Sequence, residues 1–271
     1  MVKGKVREDS NFWWLPDSAS GNLLAVGLGH HRPIKDEDNP MSLVWHRPLE
    51  VSKEPSDNPS VSSLDYVDKW RGACNNANVY RTLKVFDVKT REAAFLGPFL
   101  IDIDNSEEDI GDALGIARCA VGILVDSHKV DKGNLRVFFS GRKGFNIEVR
   151  PESLSIRDSV TEQIKSCGKK LDKVIKALRS SGQIHNGVLN IVSTKGTCID
   201  PIYGNRFGYY LKHPYIRLHN SINSWIRNDC KIIDRMKFEL SIDELGCLSA
   251  DEICRKSEIL ALDFLNGVEG A

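Results

Sequence analysis

A regular pattern of apolar positions begins at Val79. Residues 79–86 are apolar and β-branched, and residues 98–104 form a short apolar run that ends in acids, so both segments are predicted strands. Residues 107–126 place apolar side chains three and four positions apart behind an acidic first turn, which predicts a helix. Strand and helix periods therefore follow each other directly in this part of the chain.

Two more predicted strands, residues 135–140 and 145–149, flank a glycine-rich turn and form a hairpin. Residues 159–180 have the period and the positive charge of a basic amphipathic helix. Further short strands are predicted at residues 188–192, 215–218 and 231–233, and a last helix at residues 249–265, with Ser249 as its N-cap and Glu252 three residues on. Strands, hairpins and helices interleave, so the predicted fold class is mixed α/β.

The first part of the chain, residues 1–78, shows no sustained period. It is predicted to be an irregular N-terminal part of the same structural unit as residues 79–271, the core with its C-terminal helices. Pro, Asp, Asn and Ser crowd residues 32–60, which predicts a surface loop. Trp13 and Trp14 are expected to pack in a core rather than to stack on bases.

The composition limits the classes of protein to which this chain can belong. The 271 residues are 41% hydrophobic and 27% charged, with a net charge of zero, which fits a globular domain and argues against a protein that wraps duplex DNA. The start is charged and no apolar run is long enough to cross a bilayer, which predicts a cytoplasmic or nucleoid protein without a membrane partner. The seven cysteines are scattered without a CxxC pair, which favours free thiols over a structural zinc site assembled from dispersed Cys and His.

Two acids, Asp102 and Asp104, stand at the end of an apolar strand. Residues two apart on a strand point to the same face, so the two carboxylates lie side by side and repel each other. A hard divalent cation between them relieves that repulsion, because such ions prefer carboxylate oxygen. The pair predicts either a metal site or two solvated acids at a strand end.

The hairpin turn of residues 140–146 joins two cations, Arg142 and Lys143, to flanking glycines. Glycine lets the backbone approach a ligand closely, and Arg and Lys hold phosphate oxygens. Ser140 and Asn146 add neutral hydrogen-bonding groups at the two ends. By itself the turn predicts either a phosphate cradle or a basic surface loop.

A third block begins with Asp200, a lone acid after a β-branched residue, and continues with Arg217 inside an apolar strand. An arginine among apolar residues needs an anionic partner, either a carboxylate of the protein or a bound phosphate.

These three blocks, in this order, resemble the archaeo-eukaryotic primase superfamily, which includes primase small subunits and the primase-polymerases of plasmids and phages. That family carries a strand ending in Asp-x-Asp, a hairpin of the Ser-Gly-x-x-Gly-x-His type, and a third Asp ahead of an Arg-x-x-x-Ser segment. The matching stretches here are residues 100–104, 140–146, Asp200, and 217–221. The resemblance covers about residues 79–256.

The resemblance implies a two-part α/β domain, in which an N-terminal α/β module packs on an RRM-like sheet with the active site in the cleft. It implies a template-dependent nucleotidyltransferase, a DNA primase or primase-polymerase, which makes short primers on single-stranded DNA from NTPs or dNTPs. Two divalent ions, Mg²⁺ or Mn²⁺, would be held by Asp102, Asp104 and Asp200.

The resemblance also implies which residues contact the nucleotide. They are Ser140, Gly141, Arg142, Lys143, Asn146, Arg217 and Ser221, with Lys231 and Arg81 as further members of the same pocket. The basic helix of residues 159–180 would face the template strand or form a solvated surface. A helicase or an accessory primase subunit would be a separate chain.

This chain departs from the family in two places. Asn146 stands where the family has His, and Asn carries no charge and cannot donate a proton at a suitable pKa. Residues 224–227 replace a Lys-Thr-Gly segment of similar members. Asn146 and the neutral net charge keep open a catalytically weak nucleotide- or DNA-binding module of a replication or defence system. A primer-extending repair polymerase stays open because it would use the same site, and a third alternative is an unrelated nuclease or phosphatase with a DxD metal site.

Overall fold

The computed structural model describes residues 11–15, 24–31, 43–46, 61–63, 66–74, 76–82, 85–87, 93–95, 97–105, 108–150, 153, 191–192, 197–201, 215–226 and 231–267. Its strands are β1 (Leu24–His31), β2 (Leu43–His46), β3 (Val61–Ser63), β4 (Val79–Thr82), β5 (Val85–Asp87), β6 (Ala93–Phe95), β7 (Phe99–Asn105), β8 (Leu135–Phe139), β9 (Gly144–Val149), β10 (Ile191–Val192), β11 (Thr197–Pro201), β12 (Tyr215–Arg217), β13 (Ile222–Ile226), β14 (Ile232–Met236) and β15 (Phe238–Leu240). Its helices are α1 (Tyr66–Ala73), α2 (Ile110–Gly122), α3 (Ile242–Cys247) and α4 (Ala250–Leu265).

A seven-stranded antiparallel sheet contains the N-terminal strands. Its order is β12-β4-β1-β5-β6, and β2 and β3 also pair with β1. The central strand β1 is apolar and buried over residues 24–28. It packs with the turn of residues 11–15, which carries Trp13 and Trp14 and is buried. The expectation that these two tryptophans pack in a core is confirmed.

A six-stranded antiparallel sheet has the order β10-β11-β7-β9-β8-β15. Alternate residues of β7, β8 and β9 are apolar and meet the buried face of α2 in one large core. The helix begins where the Asp109 side chain accepts a hydrogen bond from the Asp112 amide, and it ends in a π-helical turn over residues 123–127. Packing against this sheet fixes α2, because its apolar stripe is buried in that core.

Each sheet also contains a strand from the C-terminal part of the chain. Strand β12 pairs with β4 of the seven-stranded sheet, and β15 then pairs with β8 of the six-stranded sheet. Between them, β13 and β14 form a separate antiparallel pair, which we call the ribbon. Helices α3 and α4 close the described chain, each with a capping box.

The structure confirms the predicted mixed α/β class. Most predicted elements after residue 79 are present, although the predicted helix of residues 159–180 lies outside the described residues. The strand predicted at 79–86 is two strands, β4 and β5, and the helix predicted over 249–265 begins at the predicted cap, since Ser249 accepts from the Glu252 amide. Strands β6, β11, β13 and β15 and helix α3 were not predicted.

The prediction that residues 1–78 are irregular is wrong for four stretches, since they form β1, β2, β3 and α1. Strand β2 even lies inside the loop predicted for residues 32–60. Short runs interrupted by glycine, such as 24–31, give a weak local signal and become strands through pairing with distant partners, here β4 and β5. Within the described part of the chain, no helix is long and apolar enough to span a membrane.

Candidate active site

The six-stranded sheet has one apolar face and one polar face. Ile101, Ile103, Phe145 and Ile147 are fully buried in the core shared with α2. Because side chains alternate along a strand, the residues between them belong to the opposite face. Those residues are Asp102, Asp104, Asn146 and Glu148.

Strand register assembles the predicted acids in one place. Asp102 of β7 lies opposite Asn146 of β9 on one side and opposite Asp200 of β11 on the other. Directly paired residues share a face of the sheet. The backbone positions of Asp200, Asp102 and Asn146 thus form one row across three strands, with Asp104 two residues along β7.

The side-chain amide of Asn146 forms a hydrogen bond with Asp102. Its Nδ2 atom donates to Oδ1 of Asp102 at 2.6 Å. Asn146 is buried, whereas Asp102 is partly exposed. An amide can make this neutral donor contact and leaves the second carboxylate oxygen of Asp102 to other partners.

The glycine-rich turn is clamped to the end of β7. A Cβ atom on Gly144 would lie 1.7 Å from the Ile103 carbonyl oxygen, so only glycine fits there. The amide of Asn105 donates to the Lys143 carbonyl at 2.9 Å, and Gly141 has a φ of +86°. The Ser140 hydroxyl accepts from the Gly144 amide at 3.2 Å, so Ser140 closes the turn.

Both cations of the turn contact carboxylates. The Lys143 Nζ atom lies 3.0 Å from Oδ2 of Asp104, and Nη2 of Arg142 lies 2.8 Å from Oε1 of Glu108. All four side chains are between 33% and 40% exposed. Ion pairs this exposed are weak, so an incoming phosphate or cation can exchange with either partner.

A third cation reaches the row from the seven-stranded sheet. Arg217 of β12 donates through Nη2 to the Tyr80 hydroxyl at 2.6 Å and through Nη1 to Asn78 Oδ1 at 2.9 Å. Burial lowers the pKa of Arg217, while the neighbouring Tyr80 and Asp102 oppose that effect. An arginine remains charged under these conditions, so Arg217 brings a fixed positive charge close to Asp102.

A group of buried charges lies beside the acid row on the same face. The carboxylate of Glu148 accepts from Trp13 Nε1 at 3.0 Å and bonds His219 Nε2 at 2.7 Å. The His219 ring stacks on the Phe138 ring, with 3.8 Å between the ring centres. The Lys237 ammonium lies 5.2 Å from the centre of the Phe138 ring. Glu148, His219 and Lys237 are all fully buried, and they join the two sheets.

Ionisation within this group is set by burial and by its own charges. Burial alone would raise the pKa of Glu148, but His219, Lys237 and Arg81 lower it to about 2. Burial lowers the pKa of His219 to about 4 against the attraction of Glu148. Burial likewise lowers the pKa of Lys237 to about 8. At neutral pH the carboxylate and the ammonium are charged and the imidazole is neutral.

Three further predicted phosphate contacts have other partners or positions in the structure. Arg81 is fully buried against the rings of Phe12 and Trp14, at 5.2 and 5.8 Å. Ser221 is buried and its hydroxyl donates to the Leu218 carbonyl at 2.7 Å. Lys231 is exposed and directly precedes β14. The structure brings together the backbone positions of the acids, the glycine turn and Arg217, and the nucleotide contacts of these three residues stay a prediction.

Sequence reasoning missed Glu148, His219 and Lys237 because each looks ordinary in its own segment. The one local signal is the spacing of Glu148, which stands two residues after Asn146 and hence on the face of the acids.

The carboxylates of the row are the type of ligand that a hard divalent cation prefers, and the positions described for them are partly suitable for binding one. Asp102 and Asp104 share a face, are partly exposed, and stand beside the register position of Asp200. Oxygen ligands on carboxylates are what Mg²⁺ and Mn²⁺ prefer. Among the residues with described side chains, no group of three or more His, Cys, Asp or Glu side chains is close enough to hold a metal. For Asp200 the structure gives the backbone position.

The two antiparallel sheets, with acids and a glycine turn on the polar face of one, form a mixed α/β fold. The chain is similar to the solved polymerase domain from Mycobacterium tuberculosis Ligase D in complex with DNA, with a TM-score of 0.51. The two share 14% sequence identity, and the match covers 87% of this chain and 82% of that chain. At this identity the likeness shows a shared fold. No protein-family model and no curated protein matches the chain.

Proposed function

We propose that this protein is a template-dependent nucleotidyltransferase of the primase-polymerase type, which joins nucleotides on single-stranded DNA. The observation that carries the proposal is the row of Asp200, Asp102 and Asn146, with Asp104 beside it under the glycine turn. The fold shared with a DNA polymerase domain and the order of the three sequence blocks support the same activity.

The reaction places the 3′-hydroxyl of one nucleotide against the α-phosphorus of the next. A new bond forms between that oxygen and the α-phosphorus, the bond to the β-phosphate oxygen breaks, and pyrophosphate leaves with its electron pair while the hydroxyl proton is lost to solvent. Asp102, Asp104 and Asp200 would hold Mg²⁺ or Mn²⁺, which lowers the pKa of the hydroxyl and neutralises charge on the triphosphate.

The chain's own cations would then orient the triphosphate. Lys143 and Arg142 would exchange their carboxylate partners for phosphate oxygens at the open end of the turn. Arg217, already fixed by Tyr80 and Asn78, would approach from the other sheet. Pre-positioned charges of this kind act by electrostatic stabilisation and need little rearrangement during the reaction.

The test is a primer-synthesis assay on single-stranded DNA with labelled NTPs or dNTPs and Mg²⁺ or Mn²⁺, with and without an annealed primer. We expect products without a primer, and a complete loss of product in the Asp102→Asn/Asp104→Asn variant. Asp126→Asn is the matched control, because Asp126 is exposed and lies on the π-helical turn away from the row. Extension only with a primer would favour the repair-polymerase alternative.

A second candidate function has a specific observation in its favour. The Asn146 amide occupies a lone pair of Asp102 that a metal ion would otherwise use, and it stands where the family has His. This contact favours a nucleotide- or DNA-binding module with weak catalysis. For such a module the assay would give no product with any metal, while single-stranded DNA would bind equally well to the wild type and to the double variant.

The Asn146→His variant separates the two candidates directly. For an enzyme in which Asn146 is a tolerated change, His at this position should keep or raise the rate of synthesis. For a binding module, synthesis should be absent in the wild type and in Asn146→His alike, and DNA affinity should not change.

A further inference from the structure

The ribbon presents a face with aromatic and basic side chains. In its register Trp225 lies opposite Ile233, and Asn223 lies opposite Arg235. Paired residues share a face, as do residues two apart on one strand. We call these four residues the ribbon face. Lys231, two residues before Ile233, is exposed and directly precedes β14.

The ribbon face continues the glycine turn of the candidate active site. Asn223 Nδ2 donates to the Ser140 carbonyl at 3.2 Å. A Cβ atom on Gly141 would lie 3.0 Å from Asn223 Cβ and 3.1 Å from the Arg235 carbonyl oxygen. The turn and the ribbon are therefore in close backbone contact, and a strand that leaves the active site past the turn meets the ribbon next.

The indole of Trp225 has an arginine from each side of this junction. The guanidinium carbon of Arg142 lies 5.1 Å from the ring centre, and that of Arg235 lies 5.7 Å from it. Trp225 is partly exposed. An indole beside guanidinium groups combines two contacts that proteins use for single strands, because bases stack on aromatic rings and phosphates pair with cations.

Arg142 and Arg235 each contact a carboxylate through Nε and Nη2, and the same pair of nitrogen atoms can bind a phosphate. Nε and Nη2 of Arg235 lie 2.8 and 2.7 Å from Glu258 Oε1, and the same two atoms of Arg142 lie 2.9 and 2.8 Å from Glu108 Oε1. The carboxylates of Glu258 and Glu108 are 49% and 40% exposed. Arg235 itself is 20% exposed and Arg142 is 40% exposed. Because the carboxylates face solvent, the pairs are weak and screened by salt, so a phosphodiester can take the place of the carboxylate.

We propose that the ribbon face binds the backbone of a single-stranded polynucleotide, with a phosphate on Arg235 and an unpaired base on Trp225. This deepens the proposed function, because the strand would be the template, yet the binding itself needs neither metal nor nucleotide. Arg142 stands at the boundary between the triphosphate and the strand, so the new assignment rests on Trp225 and Arg235.

The experiment measures the affinity of a fluorescent oligothymidylate of roughly 16 nucleotides, the upper site size of single-strand-binding folds. Anisotropy is recorded in EDTA without nucleotide, over a series of KCl concentrations. Arg235→Gln should weaken binding several-fold and reduce the slope of log K against log salt by about 0.7, the value for one phosphate contact on a single strand. Trp225→Leu should weaken binding about tenfold or more, and Trp225→Phe should restore part of the loss.

Glu258→Gln makes the test specific. It breaks the same ion pair as Arg235→Gln, but it removes the competitor instead of the phosphate ligand. We expect Glu258→Gln to tighten binding, by up to about fivefold at low salt. Arg136→Gln is the matched control, since Arg136 also pairs with a glutamate, Glu239, and lies 4.8 Å from an indole, that of the buried Trp13. It should leave the affinity unchanged.

Several results would overturn the proposal. One is that Arg235→Gln and Glu258→Gln weaken binding alike, because the pair is then only a structural contact. Another is that the salt slope is unchanged, or that the variants weaken binding of a deoxynucleoside triphosphate and spare the oligonucleotide. A protein without synthesis that shows the expected affinities would lose the proposed function and keep this one, so the two failures are distinguishable.

Discussion

Two groups of charged side chains lie side by side on the polar face of the six-stranded sheet, and they differ mainly in access to solvent. The open group contains Asp102, Asp104 and Lys143, which are partly exposed. The sealed group contains Glu148, His219 and Lys237, which are fully buried. The difference teaches that one sheet face can hold charges for two purposes: buried partners fix the two sheets together, whereas exposed partners stay exchangeable.

The largest expected effect is on the sealed group. Glu148→Ala removes the carboxylate that bonds Trp13 and His219 and whose charge offsets that of the buried Lys237 ammonium. Leaving a buried charge uncompensated costs about 3–5 kcal/mol of unfolding free energy. Urea denaturation followed by circular dichroism measures the loss. Glu239→Ala is the control, because Glu239 is 41% exposed and pairs with Arg136 at 3.4 Å, so it should cost under about 1 kcal/mol. Equal losses for the two variants would contradict the distinction between the groups.

The second-largest expected effect is a loss of unfolding free energy at acidic pH, caused by protonation of the sealed group. The pKa of His219 is about 4 in the fold against 6.5 as its ordinary value, so the unfolded chain binds the proton first and stability falls as pH drops from 6.5 to 4. The shift corresponds to roughly 3 kcal/mol. Glu148, with a pKa of about 2 against 4.5, extends the loss below pH 4.5. Urea midpoints measured across this range should fall less steeply for His219→Gln; parallel curves would show that His219 is not the titrating group.

The glycine turn should give an effect of about 1–3 kcal/mol or more, because Gly144→Ala forces a Cβ atom against the Ile103 carbonyl. Loss of this close approach should also detach the open group from β7 and lower nucleotide affinity. Gly246→Ala is the control, since a Cβ atom on Gly246 meets no atom within 4 Å. Thermal melting measures both variants, and a Gly144→Ala protein as stable as Gly246→Ala would mean that the turn is not clamped.

The smallest expected effect on stability belongs to the open group. Lys143→Gln removes an exposed pair with Asp104 and should change the unfolding free energy by under about 1 kcal/mol. The same change should weaken triphosphate binding markedly, measured by calorimetry with Lys132→Gln as an exposed control on the 3₁₀ turn. A variant that loses stability but keeps its affinity would reverse the roles of the two groups.

The contrast between the groups also marks what the sequence could predict. The open group follows local signals: two acids after an apolar strand, and cations between glycines in a hairpin. Even the last helix was predicted to begin at Ser249, because a capping box is a local pattern.

The sealed group could not be predicted in this way. Residues 145–149 alternate between apolar and polar, which is also the pattern of a strand with one solvated face. Glu148 is buried because Trp13, 135 positions away, and His219, 71 positions away, cover it. Strand β1 was missed for the same reason, since its partners come from outside its own segment.

The late return of the chain to both sheets has a consequence for synthesis on the ribosome. Strand β8 lacks one of its two neighbouring strands until β15, residues 238–240, has left the ribosome. Until then the Phe138 and Phe139 side chains are not fully buried, since β15 pairs with both residues and Phe238 packs on Phe139. Until then, the nascent chain presents an unpaired strand edge with aromatic residues, the kind of surface that aggregates or recruits chaperones. A chain cut before Phe238 should therefore accumulate in inclusion bodies, and neither sheet is a fragment that can be cloned and expressed by itself.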